Sequence, residues 1–160
     1  MVAVVREMAG IPQILPRPMT EADVPAVLAL EMSSYAFPWT ESIFRDCLRV
    51  GYDCCVLEID YLLVGYGVIS SGAGEAHLLN LCVREEFRCR GLGRRLLEHL
   101  IDVVSHSGAR IVFLEVRPAN TGAVRLYESM HFQQIGMRRG YYQAEGGRED
   151  ALVMRRDLTV

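Results

Sequence analysis

The sequence predicts an α/β layer protein: one mixed, mostly antiparallel sheet flanked by helices. Three observations predict it. Strand-like runs come in groups, giving the order strand, helix, helix, three strands, helix, strand, helix, two strands. A purely doubly wound parallel sheet would need stricter alternation of strands and helices. The chain has 160 residues, 51% of them apolar, which suffices for one domain with a real core.

Each element has its own local reason. "ILPRPMT" (14–20) reads as a short edge strand, where prolines are tolerated. Thr20 is placed to cap a helix over "TEADVPAVLALEMSSYA", and "FPWT" breaks it. "TESIFRDCLRV" gives a second short helix. "DCCVLEID" and "LLVGYGVISS" are β-rich runs meeting at Asp60-Tyr61, the pattern of a hairpin, and "EAHLLNLCVR" is a further strand. From about Leu92 to Ser105 the residues Leu92, Leu96, Leu100 and Val103 share one helical face, with Leu97 and Val104 beside them. "RIVFLEVR" is a strand, "NTGAVRLYESM" a helix capped by Asn120, and "FQQIGMRRGYY" and "REDALVMRRDL" close the chain as strands.

Composition removes several function classes. A net charge of −3 argues against a nucleic-acid partner, which calls for basic excess. No apolar run approaches the roughly 20 residues of a membrane span, so no membrane partner is expected. "MVAVVREMAG" has no basic leader and too short an apolar run for a signal peptide, so a cytoplasmic protein is expected. The five cysteines are odd in number and contain no Cys-x-x-Cys, which fits incidental thiols better than disulfides. His77, His99, His106 and His131 do not combine with them at zinc-ligand spacing, so no metal is expected. All 17 basic residues are arginine. Without lysine the chain can run neither Schiff-base catalysis nor a Walker-type phosphate loop.

Two constellations carry chemistry. The first is "RCRGLGRR" (88–95), between a strand and a helix. A helix N-terminus offers unpaired N–H groups and the positive end of the dipole, which suits an anion, phosphate above all. Glycine lets a ligand approach the backbone, and Arg88, Arg90 and Arg94 add charge. The same residues also fit a glycine loop before a solvated basic helix. It is not the dinucleotide fingerprint, since Leu96 stands where a third glycine belongs. The second constellation is "RIVFLEVRPANTGAVRLYESMHF". Glu115 interrupts a strand in which both faces are apolar. It is either a strand end reaching solvent or an arginine such as Arg117, or a catalytic base. Tyr127 shares a helical stripe with Ala123 and Met130, as a core aromatic or as a phenol aimed at a ligand.

Together the two resemble the GNAT family of N-acetyltransferases. The phosphate motif of that family, Arg/Gln-x-x-Gly-x-Gly/Ala, is matched by Arg88-Cys89-Arg90-Gly91-Leu92-Gly93. The likeness runs from about Pro16 to Leu158, so residues 1–160 are expected to form one acetyltransferase domain, with 1–12 an extension of no assigned role. It is closest to the branch acting on ribosomal-protein N-terminal alanines, through "AFPW" (36–39), "GLGRRLLEHLID", "LEVRPAN", "LYESMHF", and "GYY" with "GREDALVM". The resemblance implies acetyl-CoA as cosubstrate. It implies that backbone groups of Leu81, Cys82 and Val83 receive the pantetheine arm. It implies that the amides of Cys89, Arg90, Gly91, Leu92, Gly93 and Arg94, next to Arg88, hold the pyrophosphate. Asn120 would bond the arm, Glu115 would be the general base and Tyr127 the general acid. Phe37, Trp39 and Tyr141 would wall the acceptor site. The implied acceptor is the N-terminus of a small-subunit ribosomal protein. A lysine side chain, polyamine or drug amine is the competing acceptor, and a non-catalytic acyl-CoA-binding module is the competing class. The resemblance gives no oligomeric state.

Overall fold

The structure is a computed structural model that describes residues 14–158. The expected extension at 1–12 lies outside those residues. Strands β1 (Arg17–Pro18), β2 (Asp53–Ile59), β3 (Leu62–Gly72), β4 (Glu75–Val83), β5 (Ile111–Val116), β6 (Gln133–Ala144) and β7 (Gly147–Asp157) form one sheet in the order β1-β2-β3-β4-β5-β7-β6. Every neighbouring pair is antiparallel except β4–β5. The helices are α1 (Val24–Ser34), α2 (Glu41–Arg49), α3 (Leu92–His106) and α4 (Thr121–Ser129). The expected mixed, mostly antiparallel sheet with flanking helices is what forms.

Asn120 caps its helix as the sequence predicts; Thr40 caps α2, and Asp23 rather than Thr20 is the cap residue of α1. Thr40 accepts from the Ile43 N–H, and Asn120 from the Ala123 N–H at 3.2 Å. Thr20 opens a short 3₁₀ turn, Glu21–Asp23, before α1 takes over with Pro25 in its first turn. The β2–β3 turn is tight because Asp60 (φ 49°) and Tyr61 (φ 66°) both take left-handed backbone.

Two cores lie on opposite faces of the sheet, and alternation along β2 and β3 feeds both. Cys55, Leu57, Val64 and Ile69 face α3 and α4; Cys54, Val56, Tyr66 and Val68 face α1 and α2. The adjacent Cys54 and Cys55 therefore point to opposite sides, and burial raises both thiols to about 12. α3 lies close against β3 because β3 carries glycines there. A Cβ on Gly67 would stand 2.7 Å from a Leu100 methyl, and one on Gly65 2.9 Å from Leu96. The buried stripe of α3 is Leu92, Leu96, Leu97, Leu100, Ile101 and Val104. Val103, expected on it, is only half-buried, because a 3.6-residue repeat carries the stripe round to Ile101 and Val104.

The feature that positions the site is a divergence. β4 and β5 pair in parallel only from Glu75/Ile111 to Leu78/Leu114. β4 then continues to Val83, paired only with β3, and β5 to Val116, paired only with β7. A bulge starts the separation: the β3–β4 register passes from Ile69↔Leu78 to Val68↔Asn80, leaving Leu79 as the extra residue. From Leu79 to Val83, five residues of β4 present one open edge inside the sheet.

Candidate active site

A cavity of about 700 Å³ fills the opening between the separated strands. Leu78–Leu81 line one side, Glu115–Arg117 the other, and Ala123 and Tyr127 of α4 also border it. Phe37 and Trp39, from the loop joining α1 to α2, and Tyr142 to Glu145 of the β6–β7 hairpin complete the walls. Of the residues expected at the site, this cavity gathers Glu115, Tyr127, Leu81, Asn120, Phe37 and Trp39.

Glu115 sits where β5 leaves β4, its side chain only 5% exposed. His77 on β4 contacts one carboxylate oxygen through Nε2, and Arg138 Nε lies 3.5 Å from the other. The arginine partner is therefore not Arg117. Arg117 bonds Glu149 at 2.8 Å and the Gln143 carbonyl at 2.9 Å, with its guanidinium 4.3 Å from the centre of the Tyr142 ring. It clamps the β6–β7 hairpin to the end of β5. The face of β5 carrying Ile111, Phe113 and Glu115 is half-open, whereas Val112, Leu114 and Val116 are buried. The expectation of two buried faces fails because the strand edge borders the cleft rather than core.

Tyr127 is buried, its ring edge-on to Phe132 at 5.9 Å. Among the described residues its hydroxyl has no hydrogen-bond partner. Burial raises this phenol above its ordinary range, so it keeps its proton at neutral pH. The result is a protonated donor on the cavity wall.

The backbone of β4 is divided by alternation. The Leu81 carbonyl accepts from the Tyr35 hydroxyl at 3.0 Å and the Val83 carbonyl from Arg88 Nε at 3.0 Å, while the Arg84 N–H bonds Val64 of β3. Leu81 and Val83 thus turn toward the gap and Cys82 toward β3. Of the three residues expected to receive the arm, Leu81 and Val83 have their backbone groups on the correct side; Cys82 does not.

The glycine loop lies beyond the β4 end of the cavity. Gly91 caps α3 in left-handed conformation (φ 79°), and the first intrahelical bond is the Arg95 N–H to the Gly91 carbonyl. The amides of Leu92, Gly93 and Arg94 precede it and have no helical acceptor. Cys89 is exposed, also at positive φ (61°). The arginines have local partners: Arg90 stacks on Phe87 at 5.3 Å and Arg94 donates to Ser129 Oγ at 2.6 Å. From Val83, beside this loop, to Leu79 is roughly 13 Å at ~3.3 Å per residue. An extended chain with its anionic end on the loop would reach Glu115 along that edge.

Sequence reasoning missed several residues. Tyr142, not Tyr141, borders the cavity; Tyr141 packs edge-on against Tyr142 at 4.9 Å. Burial first, and the Glu115 carboxylate after it, push the Tyr141 phenol up, so Tyr141 still stands within electrostatic reach of the site. His77 and Arg138 reach Glu115 from strands where nothing in the local pattern marks them. Glu31 of α1 is 2% exposed and borders the cavity. Its only signal was a carboxylate inside the apolar run "VPAVLALEM". Among the described residues no cluster of His, Cys, Asp or Glu could hold a metal ion, and no helix is long and apolar enough to cross a membrane.

Comparison with known proteins points one way. The model of the acetyltransferase (GNAT) family matches residues 24–132. A protein of Salmonella typhimurium named [ribosomal protein bS18]-alanine N-acetyltransferase is 38% identical over 136 residues, covering 85% of this chain and 92% of its own. The crystal structure of the ribosomal-protein-S18-alanine N-acetyltransferase from Escherichia coli superimposes with a TM-score of 0.85 at 34% identity, over 92% of this chain and 96% of that one. Ard1 from Thermoplasma volcanium gives a TM-score of 0.84 at 25% identity, over 92% and 99%.

Proposed function

We propose that this chain, which belongs to the acetyltransferase (GNAT) family and is an acetyl-CoA-dependent N-acetyltransferase, acetylates the N-terminal alanine of ribosomal protein bS18. One observation carries the acceptor: relatives that share 38% identity across nearly the whole chain are named for that reaction. The cleft supports it. The gap between β4 and β5 has one lip of strand backbone and one of aromatic side chains, with a carboxylate at their junction.

In this reading the amides of Gly91 to Arg94 hold the diphosphate of acetyl-CoA, and Leu81 and Val83 pair with its pantetheine arm. The Asn120 carbonyl oxygen is used by its cap, which leaves the amide NH₂ to donate to that arm. The acceptor enters from the side of Phe37, Trp39 and the Tyr141–Tyr142 corner. An α-amine has a pKa of about 7.7–8.0, so at neutral pH most of it carries a proton it must lose before attack. Glu115 takes that proton, directly or through one water, with His77 and Arg138 fixing its two oxygens. The amine nitrogen then bonds to the thioester carbon. The oxyanion accepts from a β4 amide near Leu81; as the intermediate collapses the C–S bond breaks, and the extra proton left on the attacking nitrogen passes, directly or through water, to the departing sulfur, so that CoA leaves as the thiol. Tyr127 faces the departing sulfur. A thiol pKa is about 8.5 and a buried phenol's lies above about 10, so full proton transfer to the thiolate runs uphill. Tyr127 therefore acts chiefly by donating a hydrogen bond.

The test is mass spectrometry after incubation with acetyl-CoA. A peptide with the bS18 N-terminal sequence and a free alanine should gain one acetyl group at its first residue. The same peptide with a blocked N-terminus and an internal lysine should gain none. Acetylation confined to the lysine would move the acceptor to another amine.

A further inference from the structure

Glu31 is a buried carboxylate that the acetyl-transfer steps do not use. All three of its partners are neutral donors. The Tyr66 hydroxyl and Asn80 Nδ2 (2.8 Å) bond Oε1, and the Trp39 backbone N–H bonds Oε2 at 2.8 Å. No arginine or histidine pairs with it among the described residues. Burying a charge without a cation is costly, and an apolar side chain at such a position is often no less stable. Stability alone therefore gives little reason for a glutamate in the apolar run of α1.

Its partners supply a reason. Trp39 and Asn80 both line the cavity, side by side on the one carboxylate. Trp39 belongs to the loop that forms the acceptor lip, and Asn80 follows the Leu79 bulge on the strand that opens for the cosubstrate. Among residues 36–40, the Trp39 N–H is the only backbone N–H with a described partner, and that partner is Glu31. The Trp39 ring rests on Phe44 at 5.2 Å, but ring packing does not fix the path of the backbone. Tyr66 holds the carboxylate from below, its own ring edge-on to Phe44 at 5.7 Å.

We infer that Glu31 is a positioning residue for the acceptor, holding the Phe37–Trp39 lip at a set distance from the open edge of β4. The inference rests on the reading of that lip as the acceptor wall. A glutamine fills the same volume but keeps only one acceptor oxygen, so either the Trp39 N–H or the Tyr66 and Asn80 donors face its NH₂, and the three-way hold on the carboxylate is lost. Glu31→Gln should raise the KM for the alanine peptide by about tenfold, the scale of one lost hydrogen bond to a charged group, and leave the KM for acetyl-CoA within about twofold.

Trp39 is the chain's single tryptophan, so its fluorescence reports the lip directly. Glu31→Gln should make it more accessible to acrylamide. Tyr66→Phe, which keeps the ring and the Trp39 bond but removes one anchor of the carboxylate, should lower Tm and should move the peptide KM and the quenching less than Glu31→Gln does. If Glu31→Gln does not fold by circular dichroism, Glu31→Asp retracts the carboxylate by one methylene and should raise the same KM. A folded variant of either kind with an unchanged peptide KM overturns the inference. Wild-type protein that leaves the peptide unmodified overturns instead the acceptor reading beneath it.

Discussion

The two walls of the cleft are made of different material. The wall proposed to receive acetyl-CoA, the donor wall, is regular secondary structure: the open edge of β4, the N-terminus of α3 and the capped start of α4. Its chemistry is mostly backbone, so the side chains there chiefly determine geometry. The wall proposed to receive the acceptor, the acceptor wall, is loop and irregular hairpin. The α1–α2 loop is tied by one buried carboxylate, and the β6–β7 register shifts between Arg138 and Tyr142. Its chemistry is side chain, and single contacts hold it. Damage to the donor wall should therefore appear in acetyl-CoA affinity and often in stability, while damage to the acceptor wall should appear in peptide KM. Glu115 and Tyr127, where the walls meet, should affect neither KM greatly and should dominate kcat.

The sharpest test of that division is Glu115→Gln. It should lower kcat at pH 7 by about a hundredfold to ten-thousandfold, the usual worth of a positioned base. The loss should shrink as pH rises, because above about pH 9 the α-amine is already free. Rates measured from pH 6.5 to 9.5 decide it, and a loss constant with pH would assign Glu115 to structure. Tyr127→Phe comes next, at about a hundredfold in kcat. The hydroxyl has no partner among the described residues, so removing it should leave Tm unchanged or slightly higher. A large fall in Tm would mean the phenol serves packing.

Gly93→Glu probes the donor wall, and its effect is mixed. A Cβ at Gly93 would stand 3.2 Å from a Leu126 methyl, so the side chain presses α3 off α4. Overpacking of this kind costs about 1–3 kcal/mol, so calorimetry should find weaker acetyl-CoA binding together with a lower Tm. Arg90→Glu, on an exposed side chain, reverses charge without that pressure and isolates the electrostatic part. It should weaken acetyl-CoA about threefold to tenfold, with Tm unchanged.

The same division explains what the sequence made legible. Backbone devices leave local signatures: Thr40 and Asn120 before their helices, Asp60-Tyr61 between β-runs, two glycines ahead of α3. The elements on that side of the cleft could therefore be read from the sequence, whereas the turn of the Cys82 backbone toward β3 could not, because it depends on the bulge at Leu79. Long-range side-chain pairs leave no such mark. His77 meets Glu115 across 38 residues and Asn80 meets Glu31 across 49, and periodicity contains neither pairing. Arg138 rather than Arg117 pairs with Glu115 because the β6–β7 irregularity sets which side chains face the cleft, and no local rule predicts that shift.

On the acceptor wall Arg117→Ala removes the clamp on the hairpin through Glu149, Gln143 and Tyr142. The peptide KM should rise about threefold to tenfold, since the lost bonds are part-exposed and replaceable by water. Acetyl-CoA affinity should hold within about twofold. Titration calorimetry with each ligand separately checks the split, and equal losses for both would make the hairpin part of the donor wall.

The smallest effect is expected at Cys89, and it bears on the mechanism most directly. The thiol is exposed, follows Arg88 and precedes a helix N-terminus. A reader of the sequence alone could assign it an acyl-enzyme intermediate. The geometry gives it a different place. Cys89 belongs to the glycine loop, outside the cavity that holds Glu115 and Tyr127, with the length of the open β4 edge between them. Direct attack by the amine needs no enzyme thiol, so Cys89→Ser should keep kcat/KM within about twofold. Its backbone is left-handed, which costs a non-glycine residue roughly 1–2 kcal/mol. Cys89→Gly should release that strain and return part of it as unfolded-state entropy, for a net gain of under about 1 kcal/mol in a thermal melt. A tenfold loss of rate in Cys89→Ser, with an acetyl group trapped on the wild-type thiol by rapid acid quench, would replace direct transfer with a two-step route.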